Sequence, residues 1–331
     1  MRYDLRVLLP FLLLPCSVDA GSVAKELLGD WTLTLTSGRP GWISIGESNG
    51  EPRVCMLVDV GSIEPLRGVE SRGGPLYFTL RTQRQGRGGP VISSETVEVW
   101  ADEGTLKGEI LHKRSNGEGT RDSFQGKRLP PIPPAPDLTK VAYGEPIRLF
   151  NGKDLAGWRL HLPDKLNGWS VEGGVLKNNT PKTDFSATGA YGNLRTEAVF
   201  EDFHLHIEFL VERDRNSGVY LRGMYEAQVV DRDSRMQGIQ GVGSIFGRIA
   251  PSQNAGKPGG EWQSYDLTLV DRHVTVVLNG VKVIDNQPLL GPTGGAIHTD
   301  PTKPGPIYLQ GDHTTVRFRN IVLRPATRIA Q

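Results

Sequence analysis

Residues 203–209 read FHLHIEF. Phe203, Leu205, Ile207 and Phe209 alternate with His204, His206 and Glu208, the period of two that marks a strand with one buried face. The next two apolar runs, Gly218-Val-Tyr-Leu-Arg222 and Tyr225-Glu-Ala-Gln-Val-Val-Asp231, repeat the pattern after short turns. Tyr220 and Arg222 oppose Val219 and Leu221; Glu226 and Gln228 oppose Ala227 and Val229. Three successive strands are therefore expected to bring His206, Glu208, Tyr220, Arg222, Glu226 and Gln228 to one sheet face. The plain alternative is a solvated outer face, as on many antiparallel sheets. The mixture of acids, histidine, arginine and planar carboxamides, without lysine, instead suits a sugar site.

Further strand-like runs follow, including Tyr265–Val270, Thr275–Gly280, Pro306–Gln310 and Val316–Leu323. Asn279-Gly280, set between two apolar runs, predicts a type I′ hairpin turn. So many short strands in about 180 residues imply a two-sheet sandwich. The first third is also strand-rich, from Trp31–Leu35 to Thr105–Leu111, and predicts a smaller β-meander or barrel-like domain. The chain is thus expected to be all-β. Between the two halves, LPPIPPAPDLTKVAYGEP (129–146) holds six prolines and reads as a semi-rigid extended spacer. The expected organisation is an export signal at 1–20, a β domain at 21–128, a Pro-rich linker at 129–145 and a sandwich at 146–326.

Of the 331 residues, 38 are basic and 37 acidic, a net charge of +1, so no strong field favours nucleic acid or an anionic membrane. Arg2 and Arg6, the apolar run Val7–Leu14 and Val18-Asp-Ala20 read as an export signal whose apolar part is too short to span a bilayer. The expected destination is the periplasm or the exterior. Anchoring through a lipid on Cys16 is the alternative, but Pro15 stands where such sites want a small residue. After cleavage only Cys55 remains, so no intramolecular disulfide can form.

Other polar residues are site candidates by position. Gln310 and His313 end a strand where a loop could aim them inward, and His298 lies in a long Gly/Pro-rich loop. Lys257-Pro-Gly-Gly-Glu261-Trp262 could overhang the face as a sugar-stacking loop, with Trp262 alternatively a core anchor. His273, at a turn, is expected to be exposed. His204-x-His206 with Glu208 has chemistry a divalent metal ion can use, but no further spaced ligand motif fixes the metal. The chain has no phosphate-cradling Gly loop, Gly-x-Ser-x-Gly elbow, zinc-protease motif or Cys-x-x-Cys pair.

From Leu149-Phe-Asn-Gly-Lys-Asp-Leu-Ala-Gly-Trp158 through Trp169-Ser-Val-Glu-Gly-Gly-Val-Leu176, Asn216-Ser-Gly-Val-Tyr-Leu-Arg222 and Tyr225–Asp231 to Gly305-Pro-Ile-Tyr-Leu-Gln310 and Phe318-Arg-Asn-Ile321, the C-terminal half resembles the 3-keto-disaccharide hydrolase family. The resemblance covers about residues 146 to 325 and leaves the N-terminal half outside. It implies a concanavalin A-like jelly roll, an exported bacterial protein, and a carbohydrate substrate oxidised to a ketone at C3. Related laminarinase-type glycosidases carry Glu-x-Asp-x-x-Glu, whereas this chain has Glu226-x-Gln228-x-x-Asp231, and alternation turns Asp231 away. A ketone at C3 acidifies the C2–H, so elimination of the C1 substituent followed by hydration replaces a two-carboxylate displacement. The expected roles are Glu226 or His206 as base, Arg222 or a metal at the enolate oxygen, Glu208 or Tyr220 assisting, and Gln228 orienting hydroxyls. A carbohydrate-binding module without catalysis is the alternative from another class.

Overall fold

The structure, a computed structural model, describes residues 23–61, 63–86, 89–113, 119–181, 187 and 189–328. The export signal read at residues 1–20, with Cys16, lies outside them. Among the described residues regular structure is strand, apart from two single 3-10 turns at Leu138–Lys140 and Gly238–Gln240. None of their helices is long and apolar enough to cross a membrane.

Strands β1 (Gly29–Leu35), β2 (Pro40–Ser48), β3 (Glu51–Val58), β4 (Glu70–Ser71), β5 (Leu76–Gly86), β6 (Gly89–Asp102), β7 (Thr105–Lys113) and β8 (Gly119–Arg128) form one sheet. Its order is β3-β2-β1-β8-β7-β6-β5-β4. Because β1 pairs with β8, the meander curls into a nearly closed barrel whose free edges are β3 and β4. The alternating inward residues supply its core, among them Trp31, Leu33, Ile43, Val97, Ile110 and Phe124.

The second half is a sandwich. Its larger sheet holds β9 (Val141–Tyr143), β10 (Ile147–Arg148), β12 (Trp169–Glu172), β13 (Val175–Asn178), β15 (Phe203–Val211), β18 (Trp262–Val270), β19 (His273–Leu278), β20 (Val281–Pro288) and β22 (Val316–Arg328). The smaller sheet runs in the order β11 (Trp158–Leu160), β14 (Leu194–Thr196), β21 (Tyr308–Leu309), β16 (Ser217–Leu221), β17 (Tyr225–Val229). Phe203, Leu205, Ile207 and Phe209 of β15 face the shared core, where the Phe209 and Tyr265 rings lie 4.8 Å apart. Truncating a side chain such as Phe209 there would cost about 3–5 kcal/mol. Asn279 and Gly280 both adopt positive φ, 52° and 81°, as a type I′ turn requires.

Two expectations change at this level. Strand β15 does not neighbour β16: it pairs with β18 and β22 in the opposite sheet. The three strands read in succession therefore share no face, because the chain crosses from one layer to the other at residues 212–216. Moreover, every residue of β16 and β17 is buried, polar ones included. Their polar face is roofed rather than solvated.

The roof comes from two places. Segment 289–303 crosses the face, tied down where Thr293 donates its backbone N–H to Met224 O and accepts at Oγ1 from Glu226 N (2.9 and 3.0 Å). The barrel docks against the same segment. Thr299 Oγ1 donates to Gly41 O at 2.6 Å, and the Arg248 guanidinium covers the Trp42 ring while donating to Pro292 O. The Pro-rich segment also runs along the sandwich: Arg272 donates to Pro130 O, Asn286 donates to Pro136 O, and β9 pairs with β22.

Candidate active site

A cleft of about 670 Å³ opens above β16 and β17. Tyr220, Glu226, Gln228, Gln310 and His313 line it, together with Asn193, Asn216, Tyr308 and Asp312. The local sequence explains this convergence. In the small sheet Tyr220 is the register partner of both Glu226 and Tyr308, so three polar side chains meet across three neighbouring strands.

Glu226 occupies the floor and is 3% exposed. Its register partner on β16 is Tyr220, and a β-carbon on Gly218, diagonally across the pair, would stand 2.2 Å from Glu226 Oε1. A side chain there would displace the carboxyl from this position. Gln310 Nε2 reaches Glu226 Oε1 and the Tyr220 hydroxyl, both at 3.4 Å, and Tyr220 donates to Gly294 O at 2.8 Å. Burial pushes the Glu226 carboxyl up to about 8; the Tyr220 hydroxyl pulls the other way, and the negative charge of Asp312 adds to the rise. Among the described residues no lysine, arginine or histidine pairs with this carboxyl, so it is held protonated at neutral pH.

A second group lines the same cleft. His313 Nδ1 lies 2.7 Å from Asp312 Oδ1, so Asp312 holds the proton on Nδ1 and leaves Nε2 as a base. Asn193 fixes this turn: its Oδ1 accepts from the backbone N–H groups of Gly311 and Asp312 at 2.7 and 2.9 Å. Its Nδ2 donates to the Tyr308 hydroxyl at 2.6 Å, leaving the Tyr308 hydrogen to be given elsewhere. Burial holds that phenol well above its usual pKa. The cleft thus combines a neutral carboxylic acid, a carboxylate-backed imidazole and a phenol donor.

Several residues expected here lie elsewhere. His206 and Glu208 stand on the outer face of the large sheet. His206 Nδ1 is 2.8 Å from Asp266 Oδ1, a hydrogen bond that raises its pKa. A bulge in β22 at Asn320, with φ of 52°, brings Asn320 Nδ2 and Arg319 Nε each within 2.6 Å of the Glu208 carboxylate. Burial works to raise the Glu208 pKa, but those two donors outweigh it and leave it below the ordinary value. Trp262 lies beneath the Arg319 guanidinium at 4.0 Å, Lys257 Nζ donates to Trp262 O, and Glu261 is exposed. None of the three reaches the cleft, because their loop leads into β18 of the large sheet.

Arg222 is a subtler correction. Alternation puts it on the Tyr220 side, but it takes positive φ (56°) at the β16–β17 turn and is 1% exposed. Its guanidinium donates to Pro301 O and Lys303 O at 2.7 and 2.5 Å, fastening the roof instead of meeting a ligand. Gln228 lines the cleft with its carboxamide engaged: Nε2 donates to Gln240 O and Oε1 accepts from Val229 N. Asp231 is buried away from the cleft and accepts from Asp214 and Asp233 N–H groups. His273 is 5% exposed, with Nδ1 2.9 Å from Asp271 O, not exposed as its turn position suggested. His298 lies by Arg222 and Gly305, outside the cleft lining. As for a metal, no group of three His, Cys, Asp or Glu among the described residues is arranged to hold one.

Sequence reading missed Asn193, Tyr308 and Asp312. The alternation that places Gln310 on the cleft face also places Tyr308 there, so Tyr308 was within reach. Asn193 acts through backbone groups more than 100 residues away and left no local sign.

The cleft of this all-β sandwich gathers a buried carboxyl, a phenol, carboxamides and an imidazole. Residues 145–324 match the 3-keto-alpha-glucoside-1,2-lyase-like domain, and the chain belongs to that family. A 3-keto-disaccharide hydrolase from Bacteroides thetaiotaomicron is 28% identical over 167 residues, 42% of this chain and 57% of that protein. The chain therefore spans a little over half the length of that relative. A solved structure from Parabacteroides distasonis, described as a glycosyl hydrolase, shares 30% identity with a TM-score of 0.44, covering 60% of this chain and 94% of the other. Porphyranase B from Zobellia galactanivorans shares 11% identity with a TM-score of 0.35, covering 60% of this chain and all of the other.

Proposed function

We propose that this chain cleaves glycosides whose sugar bears a ketone at C3, by elimination across C1–C2 followed by hydration. The observation that carries the reading is the Glu226 carboxyl, buried at the cleft floor without a cationic partner among the described residues and raised to about 8. A carboxyl in that state is a proton donor at neutral pH, as a leaving alcohol requires. It does not suit the nucleophile of a two-carboxylate displacement, and the carboxylate five residues on, Asp231, is buried outside the cleft lining.

The steps balance as follows. His313 Nε2 removes the C2 proton, and the electron pair moves to the C3 oxygen as an enolate that accepts a hydrogen bond from Tyr308. Collapse of the enolate restores C3=O, forms C1=C2 and breaks the C1–O bond, while Glu226 gives its proton to the departing oxygen. Water then adds to C1 of the enone, Glu226 takes the water's proton, and His313 returns a proton to C2. The products are the free 3-keto sugar and the alcohol. Asp312 supports the imidazolium formed midway. Glu226 takes the role of acid in place of base, and His313 replaces His206 as the base.

The test is incubation with 4-nitrophenyl 3-keto-α-glucoside in D₂O. Release of nitrophenol with deuterium at C2 of the sugar is the expected result. Nitrophenol without C2 deuterium would replace elimination by direct hydrolysis. Saturable binding without any release would make the chain a carbohydrate-binding module and overturn the catalytic reading.

A further inference from the structure

The cleft is not made by the sandwich alone. Asp59, Val60 and Gly61, the turn that leaves β3 of the barrel, line it as well. This tip is seated by backbone contacts. Asp59, with φ of 66°, donates its N–H to Pro40 O at 3.0 Å, and its carbonyl accepts from Gly295 N at 2.8 Å. A β-carbon on Gly294 would lie 2.5 Å from Gly61 O and one on Gly295 2.7 Å from the Tyr220 hydroxyl, so backbone meets backbone with no side chain between. Thr293, immediately before, holds the backbone of Glu226. The barrel tip is thus registered to the strand carrying the acid.

Depth separates the parts of the cleft. Glu226, Tyr308 and Gln310 are 3%, 4% and 8% exposed, while Val60 is 44% exposed. The reacting ring must reach the floor, and whatever is attached to it extends to the rim. An exposed apolar side chain at the rim, Val60, beside the Asp59 carboxylate suits contact with the apolar face and the hydroxyls of a second ring.

We infer that Asp59 and Val60 are specificity-determining residues, a wall supplied by the N-terminal barrel that selects the group linked to the oxidised sugar. This rests on the reading of the cleft as a glycoside site. The barrel is then part of the binding apparatus, not a passenger on the sandwich.

The experiment compares a 3-keto disaccharide with methyl 3-keto-glucoside on the full chain, wild type against Val60→Trp and Asp59→Asn. Thermal melting shows that each variant folds; asparagine tolerates the positive φ at position 59. The ratio of kcat/KM for the disaccharide to that for the methyl glycoside is expected to fall at least tenfold in V60W and about threefold in D59N. An unchanged ratio in both folded variants overturns the inference. If the wild type binds these compounds without cleaving them, the same ratio taken from Kd decides the inference in the same way. The absence of turnover counts only against the proposed chemistry.

Discussion

Gly218 lies diagonally across the β16–β17 pair from Glu226, and a single methyl group at Gly218 would fall 2.2 Å from the carboxyl oxygen. All five residues of each strand are buried, so a carboxyl pushed by that methyl group can yield only into the cleft. Gly218→Ala is therefore expected to displace the acid and lower kcat at least tenfold while the protein remains folded. Steady-state kinetics alongside thermal melting checks this.

Glu226→Gln removes the proton donor and is expected to lower kcat by about 10²–10⁴, the usual contribution of a positioned acid. In the wild type, kcat should fall as pH rises through about 8, where Glu226 loses its proton. A pH–rate profile flat from 6 to 10 would remove Glu226 from the acid's role.

The same carboxyl makes stability depend on pH. Its folded pKa of about 8 lies above the unfolded value, so the folded state binds more protons in between. The stability tied to the protonated group is present below the unfolded pKa and is lost as pH rises towards the folded one. Wild type should accordingly lose Tm relative to Glu226→Gln between pH 5 and pH 9. Parallel melting curves for the two proteins would refute the assignment.

His206 and Glu208 belong to the outer face of the large sheet. His206→Gln and Glu208→Gln are each expected to leave kcat/KM within about twofold, as for surface changes away from the site. The His206 pKa is raised by Asp266, so the stability that pair supplies is complete below the unfolded histidine value and fades as pH rises through the folded one. Melting of H206Q should converge with wild type at alkaline pH.

Asn193→Ala unfastens the Gly311–Asp312 turn and the Tyr308 hydroxyl at once. Three hydrogen bonds are lost, at about 1 kcal/mol or more each where the partners stay buried. A fall in Tm together with a lower kcat is expected, because both the His313 base and the Tyr308 donor lose their support.

The strand content and the core faces were legible because alternation is a local property. FHLHIEF names its own buried side, and Asn279-Gly280 names its own turn. Which strands lie side by side is not local. The chain steps between layers at residues 212–216, and nothing in those residues says so, hence the false grouping of His206 with Glu226. Arg222 was misread for a related reason: alternation holds along a strand and fails at the turn that ends it. Glu226, Tyr220, Gln310 and His313 line one cleft because their strands and strand ends belong to the one sheet under the roof. The contribution of Asp59 was out of reach, since it depends on how two separately folded sheets dock.

Strand β17, which carries Glu226, is the last strand of its sheet. An edge strand with free backbone groups invites another chain to pair with it. Here residues 244–246 lie along that edge: Gln228 N donates to Ser244 O, and Phe246 N donates to Glu226 O. The sheet is therefore open to a ligand through its side chains and shut to a stranger's backbone. A protein with this arrangement can keep an open cleft beside its outermost strand without that strand becoming a seed for aggregation.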